Sequence, residues 1–301
     1  MTMRMSGQDL GLLLMLSFLW GGAFFFAAVA VTGLPPLTVV LARCGLAALA
    51  LALGLHLAGT RLPLARAALG PFLIMGLLNN LLPFSLLFWA QTVIPSGLAA
   101  ILNATTPVFA AVAAHVFLPD EPMARHRLAG MAFGFLGVVV LLGGGGVAGG
   151  GFAGLGMLAC LAAAASYGLA GTYGRRFRKM GLAPAQVALG QLAATTLMMA
   201  PVVAVIDRPW TLAAPPLSVV LAVLALAFAS TALAYVIFFR LLASAGAVNT
   251  ALVTLLIPAS AILLGVLFLG ETLEARHYAG LALISAGLLA MDGRVLAWGR
   301  R

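Results

Sequence analysis

The chain has 301 residues, of which 63% are hydrophobic and 8% are charged, and its formal net charge at pH 7 is +9. Soluble domains carry about 25% charged residues, so this composition excludes a soluble globular protein and indicates an integral membrane protein. Most of the positive charge falls in short turns between apolar runs, where membrane topology explains it better than nucleic-acid binding does.

A helix that crosses a membrane needs about 20 mainly apolar residues, and such runs follow one another along the whole chain. In order, they are Leu10–Val31, Pro36–Leu57, Gly70–Val93, Ser96–Leu118, His126–Gly143, Phe152–Tyr173, Ala183–Val205, Pro216–Arg240, Ala247–Leu269 and His277–Leu296. The first run resembles a signal peptide, but Asp9 interrupts its flank and no clear cleavage site of small residues follows it. The expected fold class is therefore all-α, with ten transmembrane helices.

Two pairs of segments repeat within the chain. Ser96–Gly130 resembles Gly246–Gly280, and Leu34–Leu49 matches Leu182–Leu197 at an offset of 148 positions. Self-similarity over half a chain predicts a duplicated domain. The predicted units are a five-helix repeat over residues 1–145, a glycine-rich joint over 146–151 and a second five-helix repeat over 152–301.

The basic residues predict the orientation of these helices. With ten helices both termini share one side of the membrane, and that side holds thirteen Lys and Arg residues against two on the other. The positive-inside rule places both termini in the cytoplasm. Because each repeat has an odd number of helices, the two repeats are expected to be inverted, as in many secondary transporters whose substrate binds near the midplane.

Each copy of the repeated segment contains an interior proline, a Phe-Leu pair, an acidic turn and a glycine in the next run. These residues are Pro107, Phe117, Glu121 and Gly130, then Pro258, Phe268, Glu271 and Gly280. The pattern resembles the EamA family of the drug/metabolite transporter superfamily, and most of all its YddG-type amino-acid exporters. The resemblance implies ten helices around a central cavity and the export of amino acids or other small metabolites. One departure is Pro122, which follows the first acidic pair.

The two prolines are candidate hinges. An interior proline cannot bond the carbonyl four residues earlier, which belongs to Asn103 for Pro107 and to Thr254 for Pro258. An unpaired carbonyl at membrane depth is tolerated where it is buried in protein or lines a wet cavity. We expect Asn103 and Thr254 to line the substrate cavity; a kink tolerated by packing is the alternative.

Arg43 lies inside the second apolar run, where a charged residue costs about 2.5–3.5 kcal/mol even on the mildest insertion scale. Three interpretations are open. The side chain can reach outward to the lipid headgroups, anchor neighbouring helices by hydrogen bonds, or bind the carboxylate of a substrate.

The remaining candidates are polar and aromatic residues inside the apolar runs, since a cavity for apolar or aromatic side chains needs such walls. The predicted substrate-binding residues are Trp20, Arg43, Asn79, Asn103, Tyr167, Ser230, Tyr235 and Thr254. Hydrogen bonding between helices is the alternative role for Asn79 and its neighbour Asn80.

None of the seven acidic residues lies in the middle of a predicted span, although proton- or sodium-coupled carriers usually keep a carboxylate there. The sequence therefore favours facilitated transport. The chain also lacks the motifs of metalloproteases, hydrolases and phosphate-binding loops, so neither an enzyme nor a cofactor or metal site is expected.

The expected partners are a small-molecule substrate and the lipid bilayer, and the protein is expected to be a monomer or homodimer. A face formed by Gly130, Gly134 and Gly137 suits a dimer contact or packing within the monomer. The alternatives to amino-acid export are efflux of lipophilic drugs or cations and, in another class, a passive channel or a membrane scaffold.

Overall fold

A computed structural model describes residues 6–59, 66–118, 125–146 and 151–292. Within these ranges every regular element is helical. The α-helices are α1 (Gly7–Ala30), α2 (Pro36–Leu57), α3 (Arg66–Gly76), α4 (Leu82–Ala90), α5 (Ser96–Asn103), α6 (Thr106–Phe117), α7 (Arg125–Gly146), α8 (Phe152–Lys179), α9 (Pro184–Ile206), α10 (Leu217–Leu224), α11 (Ala234–Thr250), α12 (Val253–Leu269) and α13 (Ala275–Asp292). The first π segment (Leu77–Leu81) joins α3 to α4, the second π segment (Ala225–Leu233) joins α10 to α11, and a 3₁₀ turn covers Pro209–Thr211.

Seven helical segments of the described chain are long and apolar enough to cross a membrane. They are α1, α2, Ala68–Ala90, Ser96–Phe117, α8, α9 and Leu217–Gly246, and shorter apolar helices follow at Leu128–Leu142 and Val253–Leu269. The chain is therefore an all-helical, multi-pass membrane protein, as its composition predicts. Glu121, Pro122, residues 147–150 of the glycine-rich joint and the end of the last predicted run lie outside the described residues.

The helix ends differ from the predicted runs where the local chemistry is specific. α8 continues beyond Tyr173 to Lys179 because cationic side chains in its last turn stabilise a helix C-terminus. α11 is interrupted at Gly246, whose φ of 79° and ψ of 165° are not helical, so a new helical stretch begins at Ala247, where the predicted run starts. Two turn residues after Thr250 then separate this stretch from α12, which starts at Val253.

Pro107 is not inside a continuous helix. The helix breaks at Ala104 and Thr105, and Pro107 is the second residue of α6, where the missing amide has no intrahelical partner. The carbonyl of Asn103 accepts a hydrogen bond from Thr106 Oγ1 at 2.7 Å, so the break is locally satisfied. Pro258, in contrast, lies inside α12 as predicted.

Glycines let several helix pairs approach backbone to backbone. A methyl group at Gly137 of α7 would lie 2.9 Å from the carbonyl oxygen of Gly280 in α13, and one at Gly76 would lie 2.8 Å from the carbonyl oxygen of Gln191. The glycine face of α7 therefore packs within the chain, against α13.

Carboxylates bind helix N-termini at the ends of the bundle. Asp207 accepts bonds from the Thr38 backbone amide (2.9 Å) and hydroxyl (2.6 Å) at the start of α2. Glu271, which follows α12, accepts bonds from the amides of Ser96 (2.6 Å) and Gly97 (3.0 Å) at the start of α5. A negative charge is favourable at a helix N-terminus, so these acidic residues connect helices that are distant in sequence.

Candidate functional site

Arg43 of α2 lies inside the helix bundle, with 6% of its surface exposed. Its Nε donates a hydrogen bond to Thr231 Oγ1 in the second π segment, at 2.9 Å. Its guanidinium carbon lies 3.9 Å from the ring centre of Phe84 and 5.7 Å from that of Phe88, both on α4. The side chain thus points into the protein and does not extend to the lipid headgroups.

The charge of Arg43 is not neutralised by the described residues around it. None of their carboxylates lies within ion-pair distance, and the terminal nitrogens Nη1 and Nη2 have no hydrogen-bond partner among them. The contact with Phe84 compensates little of the burial, because a cation–π pair contributes about 0.5–2 kcal/mol whereas an ion loses several kcal/mol on leaving water. Two parallel N–H groups of a guanidinium suit bidentate binding of a carboxylate.

A chain of amides leads from the first π segment to Tyr235. Asn79 Nδ2 donates to Gln191 Oε1 at 3.0 Å, and Gln191 Nε2 donates to the hydroxyl oxygen of Tyr235 at 3.3 Å. Because the Tyr235 oxygen accepts a bond from Gln191, its own proton is left to donate elsewhere. The hydroxyls of Tyr235 and Tyr167 both lie near Arg43.

Aromatic rings enclose this polar group. Phe84 lies between Phe88, stacked at 6.1 Å, and Tyr167, which meets it edge to face at 6.5 Å. On the other side, Tyr235 stacks on Phe239 at 5.9 Å. Tyr167 and Tyr235 both keep part of their surface accessible. The arrangement combines a cation and hydrogen-bond donors with an apolar wall, which suits an organic acid that carries an apolar side chain.

The EamA-like transporter family model matches residues 9–143 and again residues 154–291. The chain belongs to the EamA family. This confirms the family predicted from the repeated motif, and its members are transporters, not enzymes.

Similar proteins cover nearly the whole EamA chain. An uncharacterised inner membrane transporter of Escherichia coli, YedA, is 30% identical over 281 residues, which are 91% of this chain and 87% of that protein. A probable amino-acid metabolite efflux pump of Salmonella typhimurium is 29% identical and covers 94% of both chains. A probable terminal-alkyne amino-acid exporter of Streptantibioticus cattleyicolor is 27% identical over 94% of this chain and 92% of its own. The chain is accordingly a multi-pass inner-membrane transporter.

A solved crystal structure supports the fold of the EamA chain. It covers 99% of this chain and 100% of its own, with a TM-score of 0.68 and 21% sequence identity. At that identity, the similarity concerns the fold alone.

The two adjacent asparagines of the EamA chain have different surroundings. Asn80 is fully buried and donates to Thr195 Oγ1 at 3.3 Å. The Thr195 hydroxyl lies 2.8 Å from the carbonyl oxygen of Gln191 and 3.0 Å from that of Gly76, and its one proton is shared between them. Asn80 therefore joins α9 to the first π segment, whereas Asn79 belongs to the amide chain that ends at Tyr235.

Four predicted binding residues have no described contact with Arg43 or with the amide chain that ends at Tyr235. Trp20 packs on Phe238 at 5.4 Å, in an apolar cluster of α1, α11 and α12. Thr254 donates to the carbonyl of Ala251 at 2.7 Å. Ser230 Oγ and Asn103 Oδ1 are buried without a hydrogen-bond partner among the described residues. Their role in substrate binding stays a prediction.

Gln191, Thr231 and Phe84 contribute to this site and were not predicted to bind substrate. Two features of the sequence could have identified Gln191: it is a polar residue in an apolar run, and it corresponds to Arg43 at the offset of 148 positions. Thr231 is adjacent to the predicted Ser230. Nothing distinguishes Phe84 in the sequence from the other phenylalanines of the chain.

Proposed function

We propose that this protein is a secondary transporter that exports neutral, aromatic or hydrophobic amino acids and related metabolites across the inner membrane by alternating access, without coupling to an ion gradient. The observation that carries the proposal is Arg43, a buried cation whose terminal nitrogens have no partner among the described residues. The amino-acid efflux proteins among its relatives support the same class of substrate.

The proposed architecture has ten transmembrane helices in two inverted repeats, with both termini in the cytoplasm. The two matches to one family model, over residues 9–143 and 154–291, support the duplication. The matched segments within the sequence and the uneven distribution of basic residues support the inversion and the orientation.

In this proposal, Arg43 binds the substrate carboxylate with Nη1 and Nη2 while Thr231 holds Nε in place. Tyr235, positioned by Asn79 and Gln191, donates a further hydrogen bond. The rings of Phe84 and Tyr167 contact the apolar side chain of the substrate.

Trp20, Asn103, Ser230 and Thr254 would line the rest of the path. Movement of the halves would be accompanied by bending near Pro107 and Pro258. These roles rest on the positions of the residues in the sequence, because their described contacts do not include Arg43.

The buried cation disfavours the alternative of lipophilic-cation efflux, because like charges repel strongly at low dielectric. The described carboxylates provide no coupling group near Arg43. Asp207 and Glu271 are engaged at helix ends, and Glu274 pairs with Arg276.

Counterflow in proteoliposomes loaded with unlabelled amino acid tests this function. We expect saturable uptake of labelled phenylalanine, leucine or methionine that is insensitive to a pH gradient. Arg43→Gln should lower kcat/KM at least tenfold, and Arg43→Lys should retain part of the activity because it keeps the charge but loses the planar fork. Arg240→Gln, which removes an exposed charge from α11, is the matched control.

Two results would contradict the proposal. If the Arg43→Gln protein is folded and keeps wild-type kinetics, Arg43 does not bind the substrate. Uptake that does not saturate, or that shows no counterflow, would favour a channel or a scaffold.

A further inference from the structure

We infer that this site selects carboxylates with a net charge of −1 over zwitterions, so that N-acylated amino acids and 2-oxo acids are better substrates than free amino acids. The inference rests on the proposed function and narrows its substrate class. Two observations support it: the groups next to Arg43 are mainly hydrogen-bond donors, and the described carboxylates are bonded elsewhere.

The polar groups next to Arg43, where the carboxylate is proposed to bind, are mainly donors. Nη1 and Nη2 of Arg43 can only donate, and the hydroxyl of Tyr235 is left to donate because its oxygen accepts from the side-chain amide of Gln191. The side-chain oxygen Oε1 of Gln191 already accepts a hydrogen bond from Asn79. A carboxylate therefore meets a charge and several donors, while an ammonium group meets at most neutral oxygens.

Four acidic side chains of the described chain are engaged at the ends of helices. Asp9 bonds to Ser6 and Ser244, Asp207 to Thr38, Glu271 to Ser96 and Gly97, and Glu274 to Arg276. None of these carboxylates lies within ion-pair distance of Arg43, so none is placed beside it to receive the ammonium group of a bound amino acid.

Charge balance then decides the preference. A monoanion neutralises the buried guanidinium, and the pair has no net charge in a medium of low dielectric. A zwitterion brings in an ammonium group that must leave water without a carboxylate to pair with, which is unfavourable. Acylation converts that ammonium into a neutral amide. A neutral oxygen of the site can accept the hydrogen bond of the amide N–H.

This selectivity also provides a driving force. Export of a monoanion moves negative charge out of a cell whose interior is negative, so the membrane potential itself favours export. A carrier with such a substrate does not need a carboxylate for proton or sodium coupling.

Three related compounds test the inference: N-acetyl-L-phenylalanine (anionic), L-phenylalanine (zwitterionic) and L-phenylalanine amide (cationic). Each is measured in the same counterflow assay with the full-length protein. We expect kcat/KM for N-acetyl-L-phenylalanine to be at least tenfold higher than that for L-phenylalanine. L-phenylalanine amide should not be transported. Arg43→Gln should abolish this preference, whereas Arg240→Gln should keep it.

A potassium diffusion potential set by valinomycin gives a second readout. An inside-negative potential should accelerate efflux of N-acetyl-phenylalanine and leave exchange of phenylalanine for phenylalanine unchanged, because that exchange moves no net charge.

The outcomes separate the two proposals. If phenylalanine is transported as well as or better than its N-acetyl derivative, the charge selectivity is wrong and the proposed amino-acid export stands. If efflux of the N-acetyl compound does not respond to the potential, the electrogenic step is wrong. If folded protein transports none of the three, both proposals fail.

Discussion

Gly168 shows how closely two helices approach each other at the scale of one residue. A methyl group added to Gly168 of α8 would lie 2.7 Å from the backbone nitrogen of Ala110 and 2.8 Å from the carbonyl carbon of Phe109, both in α6. Real side chains do not approach a neighbouring backbone so closely, so α6 and α8 must separate if this glycine is replaced.

Gly168→Ala should therefore lower the free energy of unfolding by about 1–3 kcal/mol, the usual cost of overpacking. Gly171, three residues further along α8, has no other atom within 4 Å of such a methyl group. Gly171→Ala should leave stability unchanged or raise it by about 0.4–1 kcal/mol, since alanine restricts the unfolded chain. Thermal unfolding in detergent measures both, and equal effects would contradict the described packing of α6 on α8.

The sequence predicts candidate residues for the site, but it does not predict which of them contact one another. Polar and aromatic residues are unusual inside apolar runs, which makes candidates of Arg43, Asn79, Tyr167 and Tyr235. The choice between the three interpretations of Arg43 depends on what surrounds it, and its partner Thr231 lies 188 positions away. No local pattern encodes a pairing over that distance.

α5 is an eight-residue helix held at both ends. Seven of its residues are buried, its first amides bond to Glu271, and it ends at the break before α6. Gly265 supports this arrangement, because a side chain at that position would meet the Glu271 carboxylate. The connection after α12 and the start of α5 are therefore joined by one carboxylate.

Glu271→Gln should release the start of α5. The neutral amide loses the charge-assisted bonds, each worth about 1.5–3 kcal/mol, so hydrogen exchange at Ser96 and Gly97 should accelerate about tenfold or more. Mass spectrometry of the peptide that contains both amides measures this. Glu274→Gln is the control, since its carboxylate pairs only with the exposed Arg276 among the described residues. Unchanged exchange in Glu271→Gln would show that the carboxylate does not hold α5.

Pro258→Ala tests the hinge proposed in α12. Alanine restores an amide that can donate to the carbonyl of Thr254, so the helix should become stiffer. The free energy of unfolding should rise by about 1–3 kcal/mol. If α12 bends during transport, kcat should fall while KM stays unchanged.

Pro201→Ala provides the comparison, because Pro201 is also inside a helix, α9, but on its exposed side. It should affect stability without slowing turnover. Wild-type kcat in Pro258→Ala would exclude bending at this proline.

The positions of the helices were predictable, but their irregularities were not. Hydropathy over a window of residues reports an apolar segment, and it is insensitive to the one extra residue per turn that makes a π segment. Similarly, Pro107 indicated a disturbed helix, but the interruption lies at Ala104 and Thr105, where the hydroxyl of Thr106 stabilises the free carbonyl of Asn103. Such details depend on side-chain bonds that periodicity does not contain.

At the scale of the whole molecule, the proposed orientation predicts which side each loop reaches. A green fluorescent protein fused after Arg301 should fold and fluoresce, because the C-terminus is placed in the cytoplasm. Alkaline phosphatase fused after Arg208 should be active, because the connection after α9 is placed on the opposite side. The reverse pair of results would invert the topology, and activity of both reporters at both positions would exclude a single orientation.

If the exported substrate is a monoanion, as inferred above, the membrane potential acts on the whole transport cycle. Moving one elementary charge through 100 mV is worth about 2.3 kcal/mol, enough for a concentration ratio of nearly two orders of magnitude. A carrier that moves monoanions would maintain that ratio without any co-transported ion.

The two π segments also bear on the history of the chain. They begin at Leu77 and Ala225, which differ by 148 positions, the same offset that matches Leu34–Leu49 with Leu182–Leu197. If the halves arose by duplication, one widened turn in an ancestral five-helix protein accounts for both segments. The ancestor would already have had this irregular turn. Two copies of that protein, inserted in opposite directions, would have placed the two turns in one bundle. The substitutions that made Arg43 and Gln191 different would have come later.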